Sequence, residues 1–224
     1  MLNWIGHNFS EVYGPLRLFT SYLFLGGLGT ALCAILTWSL LPRLWGRLPR
    51  DRGRQYAVEA EQSQGKPVGA GIIFIPAYLA VGLLVLPLEA KFVQALVCVL
   101  LAMVAGYMDD RSEKGWNEYR LGGIDLAISV LGAIVICQLD DVQLWLPLIK
   151  TPVVVGPLIF IPCAAVVIWL SINAANCTDG VDGLSGSLCA LAFLYIGGIL
   201  YGIVGHRVIA DYLLVPHYHD GAGW

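Results

Sequence analysis

Apolar and polar positions alternate along this chain in long blocks. Residues 18–41, 68–88, 92–108, 126–139, 151–178 and 183–205 carry no charged side chain. A helix needs about 20 apolar residues to cross the hydrocarbon of a bilayer. Four of the runs reach that length, and 92–108 nearly does. The run 126–139 reaches it only if Asp125 sits in its first turn, near an interface, where the helix dipole favours an acid. A re-entrant segment is the alternative for this short fourth run. The pattern predicts an all-α multi-pass membrane protein of six transmembrane helices, forming one membrane domain over residues 1–224. Before the first run, Trp4, His7, Phe9 and Tyr13 form an interfacial lead-in with aromatic anchors. Gly26, Gly27 and Gly29 inside that run allow close helix packing. Between the fourth and fifth runs, β-branched residues with Pro147, Pro152 and Pro157 predict a short β-hairpin over 140–157.

Composition agrees with the membrane class. The chain is 58% hydrophobic and 13% charged, against about 25% charged for a soluble domain, and its mean hydropathy is +0.73. The net charge of −3 is uninformative, but the placement of the cations is not. If the first helix runs inward, the inner loops hold Arg43, Arg47, Arg50, Arg52, Arg54, Lys66, Arg111, Lys114 and Arg120. The outer side then keeps Arg17, Lys91, Lys150 and Arg207. That bias follows the positive-inside rule, puts both termini outside, and brings the acidic clusters Asp109-Asp110 and Asp179/Asp182 to the cytoplasmic face. The basic loop 42–66 reads plainly as topology control together with contact with anionic lipid; a functional reading concerns its end, residues 65–71. Six cysteines lie scattered in apolar runs without a CxxC pair, as small buried hydrophobes do. The N-terminus lacks the basic n-region of a cleavable signal.

Chemistry concentrates where apolar runs end. In Asn173-Ala174-Ala175-Asn176-Cys177-Thr178-Asp179-Gly180-Val181-Asp182-Gly183-Leu184-Ser185-Gly186, polar side chains recur every three residues with glycines among them. Steps of three drift round a helix by about 300° each, so one continuous helix would not aim all four at one ligand. Glycines at 180, 183 and 186 allow a bend that would. A helix starting near Asp182 would point its positive end at the same spot, which suits phosphate. The alternative is an ordinary polar loop capping a helix. Gly106-Tyr107-Met108-Asp109-Asp110 places two carboxylates at a helix C-terminus, against the negative end of the dipole. A cation, a metal or a proton would offset that placement; a solvated acidic turn is the plainer reading. Gly65-Lys66-Pro67-Val68-Gly69-Ala70-Gly71 is a flexible turn with one lysine, suited to a phosphate but a weak signal alone. Arg111, Lys114 and Arg120 bind an anion or simply orient the protein. His217 and His219 have strand-like spacing and read as interfacial polar residues before metal ligands.

These residues match a family pattern. Residues 173–186 resemble the NxxNxTDGxDGLxG signature of the polyprenyl-phosphate N-acetylhexosamine-1-phosphate transferases. Residues 106–110 resemble that family's G-[FY]-x-D-D, residues 65–71 its GTPTMGG turn, and residues 211–223 its FAxYLxIPxIxGxG stretch. The glycine turn, the 211–223 stretch and Thr178 point to the muramoyl branch. The resemblance implies transfer of phospho-MurNAc-pentapeptide from UDP-MurNAc-pentapeptide to undecaprenyl phosphate, giving lipid I and UMP with Mg²⁺, at the inner membrane of a bacterium. It implies Asp109, Asp110 and Asp179 as catalytic acids, with Asp109 deprotonating or orienting the lipid phosphate. Asn176 stands beside the metal as a ligand, and Asp182 at a uridine-binding position. Asn173, Asn176, Gly180, Asp182 and Lys66 are the expected substrate-binding residues. The implied partners are the two substrates and the lipid bilayer, with a second copy of the chain as a further candidate and no nucleic acid.

Departures accompany the match. Lys66 and Val68 stand where the turn has threonines, Ala70 replaces a glycine, and Cys177 replaces a leucine. The family continues for four further helices, with a MGDxGSLALG motif and a His-rich loop. The competing readings are a related transferase acting on UDP-GlcNAc and a non-enzymatic six-helix protein. Against the last, the acids cluster at one surface and no chain of them crosses the bilayer. The purified 224-residue chain is expected to make no lipid I by itself, an outcome that a lipid I assay checks directly.

Overall fold

The computed structural model describes the chain apart from residues 51–64, 87–88, 113–114, 147–150, 179–182 and 219–224. It is helical, with one two-stranded sheet, and divides into two units, Met1–Gln138 and Leu139–Trp224. In the first unit a short helix α1 (Leu2–Phe9) and a 3₁₀ segment (Gly14–Thr20) precede α2 (Tyr22–Leu44), α3 (Gly71–Val85), α4 (Ala90–Arg111) and α5 (Glu118–Cys137). The second unit holds strands β1 (Val142–Leu144) and β2 (Val153–Val155), then α6 (Pro157–Thr178), α7 (Leu184–Ile199), a π-helical turn (Leu200–Val204) and α8 (Arg207–Leu213).

Five of these helices are long and apolar enough to cross a membrane: α2 with its 3₁₀ extension to Arg47, α4, α5, α6, and α7 with its π-turn. The expected second span is different. At 15 residues, α3 covers about 22 Å at 1.5 Å per residue, short of a hydrocarbon core of about 30 Å. It starts late because residues 65–70 form a turn, with Gly69 at φ +73°, a conformation that a helix does not contain.

The fourth run corrects an expectation. The helix does not begin beside Asp125. It begins at Glu118, capped by Asn117, whose side-chain oxygen accepts the Tyr119 N–H at 3.3 Å. It is therefore a full-length span and not a re-entrant segment, and Asp125 lies two turns inside it, 9% exposed. Asp125, Ser129, Ala133 and Cys137 are the buried residues of α5, one every four positions. Spacing of four keeps residues on one helix face, and three of the four are small, which lets α5 approach α4 closely.

Neighbouring helices of the first unit run antiparallel. A Cβ at Gly29, early in α2, would meet Val81 and Val85 at the end of α3 at 3.6–3.7 Å. Gly82 of α3 lies 3.6 Å on the same measure from Leu96 of α4. Gln138, just past α5, donates to Gln94 near the start of α4 at 3.0 Å. Of the three glycines expected to pack, only Gly29 touches a neighbour; Gly26 and Gly27 face open space. Leu25, Val81 and Val85 form the core there, with Leu2, Phe19 and Leu32 packed against it. Most other large apolar side chains of the long helices are exposed, as lipid-facing residues are.

In the second unit the predicted hairpin is present. Strands β1 and β2 pair antiparallel, Val142 opposite Val155 and Leu144 opposite Val153. The π-turn after α7 is closed by the Gly205 N–H on the Leu200 carbonyl at 2.8 Å, and Nδ1 of His206 sits 2.7 Å from the Tyr201 carbonyl.

Because Ala133 is fully buried on the small face of α5, Ala133→Leu should force α5 away from its neighbour. Overpacking of this kind costs about 1–3 kcal/mol. A lowered Tm in detergent, absent in a lipid-facing control such as Ile136→Leu, is the expected result.

Candidate active site

Three stretches of the first unit meet at one end of its helices. The first is the turn after the basic loop. Its base is held by an antiparallel bridge between Arg50 and Pro67 and by the Val68 N–H on the Pro49 carbonyl at 2.9 Å. This returns the chain to the end of α2 and sets the turn over the C-terminus of α4. There Gly69 comes so close that a Cβ on it would lie 3.3 Å from Asp110 Oδ2 and from the Tyr107 ring. Thus the glycine turn and the Gly106–Asp110 motif, both singled out from sequence, are in contact. Lys66 is exposed beside them.

The second stretch is the end of α4 itself. Asp109 and Asp110 occupy its last turn and differ in surroundings: Asp109 is half-buried, Asp110 exposed. Asp109 Oδ1 accepts the backbone N–H of Trp116 at 2.6 Å. That bond is short, as charge-assisted bonds are, and it leaves Oδ2 without a bond among those described. Arg111 follows in the last turn, where a cation suits the dipole.

The third stretch is the start of α5. Arg120 lies with its guanidinium carbon 4.3 Å from the centroid of the Trp116 ring. Deeper in α5, Asp125 is the one buried charged side chain among the described residues. It lies near enough to Asp109 for the two carboxyl groups to interact electrostatically, and the Ser129 hydroxyl donates to its main-chain carbonyl at 2.7 Å. Sequence reasoning makes Asp125 a helix-start acid, which the structure corrects, and does not single out Trp116. The repeat of small residues four apart after Asp125, and the Trp116-to-Arg120 spacing of one helical turn, are the signals in the chain that could have found them.

In the second unit Asn173 and Asn176 stand in the last two turns of α6. Asn173 is half-buried and its amide N–H donates back to the Trp169 carbonyl at 2.8 Å, so its oxygen remains as an acceptor. Asn176 is exposed one turn further on. The Thr178 hydroxyl bonds the Ala175 carbonyl at 2.8 Å. Asp179, Gly180 and Asp182 lie outside the described residues. The next helix, α7, opens at Leu184 behind Gly183 at φ +80°; of the other two glycines expected to bend the chain, Gly186 lies inside α7 and Gly180 outside the described residues. His217 is half-buried, and His219 lies outside the described residues.

No group of three His, Cys, Asp or Glu side chains among the described residues converges as a metal cage. Some divalent ions are held without such a cage, by one or two protein oxygens plus water and substrate phosphates. Within the first unit Asp109 Oδ2 is a hard oxygen donor; within the second, the Asn176 amide oxygen at the end of α6 is another.

Gly69→Ala tests the contact between turn and acids. It places an L-residue at positive φ, about 1–2 kcal/mol unfavourable, and presses a methyl group on Asp110. The expected result is a lower Tm in detergent, while Gly46→Ala, which meets nothing within 4 Å, leaves it unchanged.

Two comparisons bear on this arrangement. Residues 92–216, more than half of the chain, match the family model described as glycosyl transferase family 4. The phospho-N-acetylmuramoyl-pentapeptide-transferases of two strains of Treponema pallidum, one of them Nichols, are each 42% identical to the chain over 217 residues. The match takes in 95% of this chain and 59% of each relative, so the chain spans about three-fifths of the length of the curated relatives it matches. A multi-pass helical membrane protein that carries these motifs and this similarity belongs to the glycosyl transferase family 4, a family of membrane phosphotransferases.

Proposed function

We propose that the protein transfers phospho-MurNAc-pentapeptide from UDP-MurNAc-pentapeptide to undecaprenyl phosphate at the cytoplasmic face of a bacterial plasma membrane, forming lipid I and UMP for peptidoglycan synthesis. The observation that carries the reading is the seating of the glycine turn on the Asp109-Asp110 helix end. The antiparallel packing of α3 on α4 brings two polar motifs together at the end of these helices. The similarity to transferases named for the muramoyl-pentapeptide substrate supports the choice of substrate.

In this reaction an oxygen of the lipid phosphate attacks the sugar-bound phosphorus of the nucleotide. The bond from that phosphorus to the bridging oxygen breaks, and UMP leaves. Positioning and charge neutralisation dominate such chemistry. Asp109 is held by one oxygen and turns the other to the lipid phosphate, orienting it and accepting any proton it still carries. Exposed Asp110, beside Gly69, shares the acidic role. Asp179 acts near the diphosphate, Asp182 and Gly180 at the uridine, and Asn173 offers its free amide oxygen to the nucleotide. Lys66 supplies a positive charge to the phosphates. Mg²⁺, held through Asn176 and reactant oxygens, would offset the repulsion between the two anions. The bias of arginine and lysine toward the loops at this end of the first unit supports the cytoplasmic orientation.

The nearest alternative, transfer of GlcNAc-1-phosphate, uses the same motifs. Competition separates them: UDP-MurNAc-pentapeptide should displace a labelled uridine nucleotide from the protein in nanodiscs at concentrations where UDP-GlcNAc does not. The reverse preference would move the protein to the related class. In membranes that carry out the transfer, Asp109→Asn or Asp110→Asn should lower lipid I formation by about a hundredfold or more, and EDTA should abolish it until Mg²⁺ is restored.

A further inference from the structure

Asp109 sits where a carboxylate is least comfortable. It lies at the negative end of the α4 dipole, beside Asp110 in sequence and in electrostatic reach of Asp125. Left to itself such a side chain swings toward water. It is held instead by the Trp116 N–H on Oδ1 at 2.6 Å. That N–H belongs to the loop between α4 and α5, which Gly115 turns at φ +69°. The loop has an anchor of its own. Its Trp116 ring lies under the Arg120 guanidinium at 4.3 Å, and Arg120 is in the first turn of α5, whose start is set by the Asn117 cap. The order of parts is therefore helix α5, Arg120, the Trp116 ring, the Trp116 N–H, and Asp109.

We propose that Trp116, clamped by Arg120, is the positioning residue for Asp109, locking Oδ1 and leaving Oδ2 directed at the phosphate of the lipid acceptor. The inference rests on the reading of Asp109 given under the proposed function. It also gives Arg120 a role distinct from the anion binding its charge suggests: the guanidinium acts through the indole. Neither residue touches the reacting atoms.

Two measurements test it. With ¹⁵N-tryptophan label in nanodiscs, the Trp116 amide proton should resonate downfield, shift upfield in Asp109→Ala, and exchange faster with solvent in Arg120→Ala. A Trp116 amide indifferent to both substitutions overturns the latch whether or not the sample turns over. In membranes active in transfer, Arg120→Ala and Trp116→Ala should each lower kcat about two- to fivefold, the scale of a lost cation–π contact, with KM for both substrates unchanged. The double variant should be no slower than the slower single one, because both break the same link. Trp116→Phe, which keeps a ring under the guanidinium, should retain most of the turnover. A raised KM at constant kcat in Arg120→Ala would make Arg120 a direct anion ligand and refute the proposal, as would multiplicative losses in the double variant. A Trp116 amide that shifts in Asp109→Ala while that variant turns over normally would refute the functional reading of Asp109 and the positioning role with it. An inactive Asp109→Ala whose Trp116 amide never shifts would refute the latch alone.

Discussion

In hydrocarbon a main chain has no water to bond, so it satisfies its own polar groups as helix and leaves irregular backbone to the ends. Everything particular about this protein follows from that restriction. Its charged and amide side chains gather where helices stop: Asp109 and Asp110 at the end of α4, Asn117 and Arg120 at the start of α5, Asn173 and Asn176 at the end of α6. A short connection then becomes a chemical device, because it is the one place where backbone N–H groups are free to bind a carboxylate. The Trp116 N–H on Asp109 is such a use.

Close packing of the first unit follows from residue size. Gly29 against Val81 and Val85, Gly82 against Leu96, and the Asp125-Ser129-Ala133-Cys137 face of α5 bring helices together where a larger side chain would hold them apart. Membrane helices gain little from hiding apolar surface from one another, since lipid is equally apolar, and depend on such contacts for association. Asp125 is exceptional on that face. A carboxyl group buried in a membrane helix is costly, and this one lies within electrostatic range of Asp109.

Asp109 and Asp110 also show why adjacent identical residues need not be equivalent. A helix turns by about 100° per residue, so neighbours at its end face different surroundings. One is gripped by the following loop and half-buried; the other is exposed and touches the preceding glycine turn. The different surroundings of two like acids start here from helix geometry, which the following loop and the preceding turn then complete.

Much of this was legible in the amino-acid order. Charge-free runs specified the spans because transfer into lipid depends on composition and length, which a one-dimensional pattern records. The hairpin was visible for a similar reason: β-branched residues and prolines act locally. The motifs at 65–71, 106–110 and 173–186 announced themselves as polar groups at the ends of apolar runs. Helix starts were less legible. Asn117, a cap two turns before the charge-free run, moved the beginning of α5 and turned Asp125 from an interfacial acid into a buried one; likewise the positive φ of Gly69 shortened α3. Contacts between distant stretches were not legible at all. That Gly69 rests on Asp110, and that the Trp116 N–H reaches back to Asp109, depends on how antiparallel helices align and on where a loop of a few residues is forced to cross. Composition and order determined which groups reach the membrane surface; only packing in three dimensions decided which of them touch.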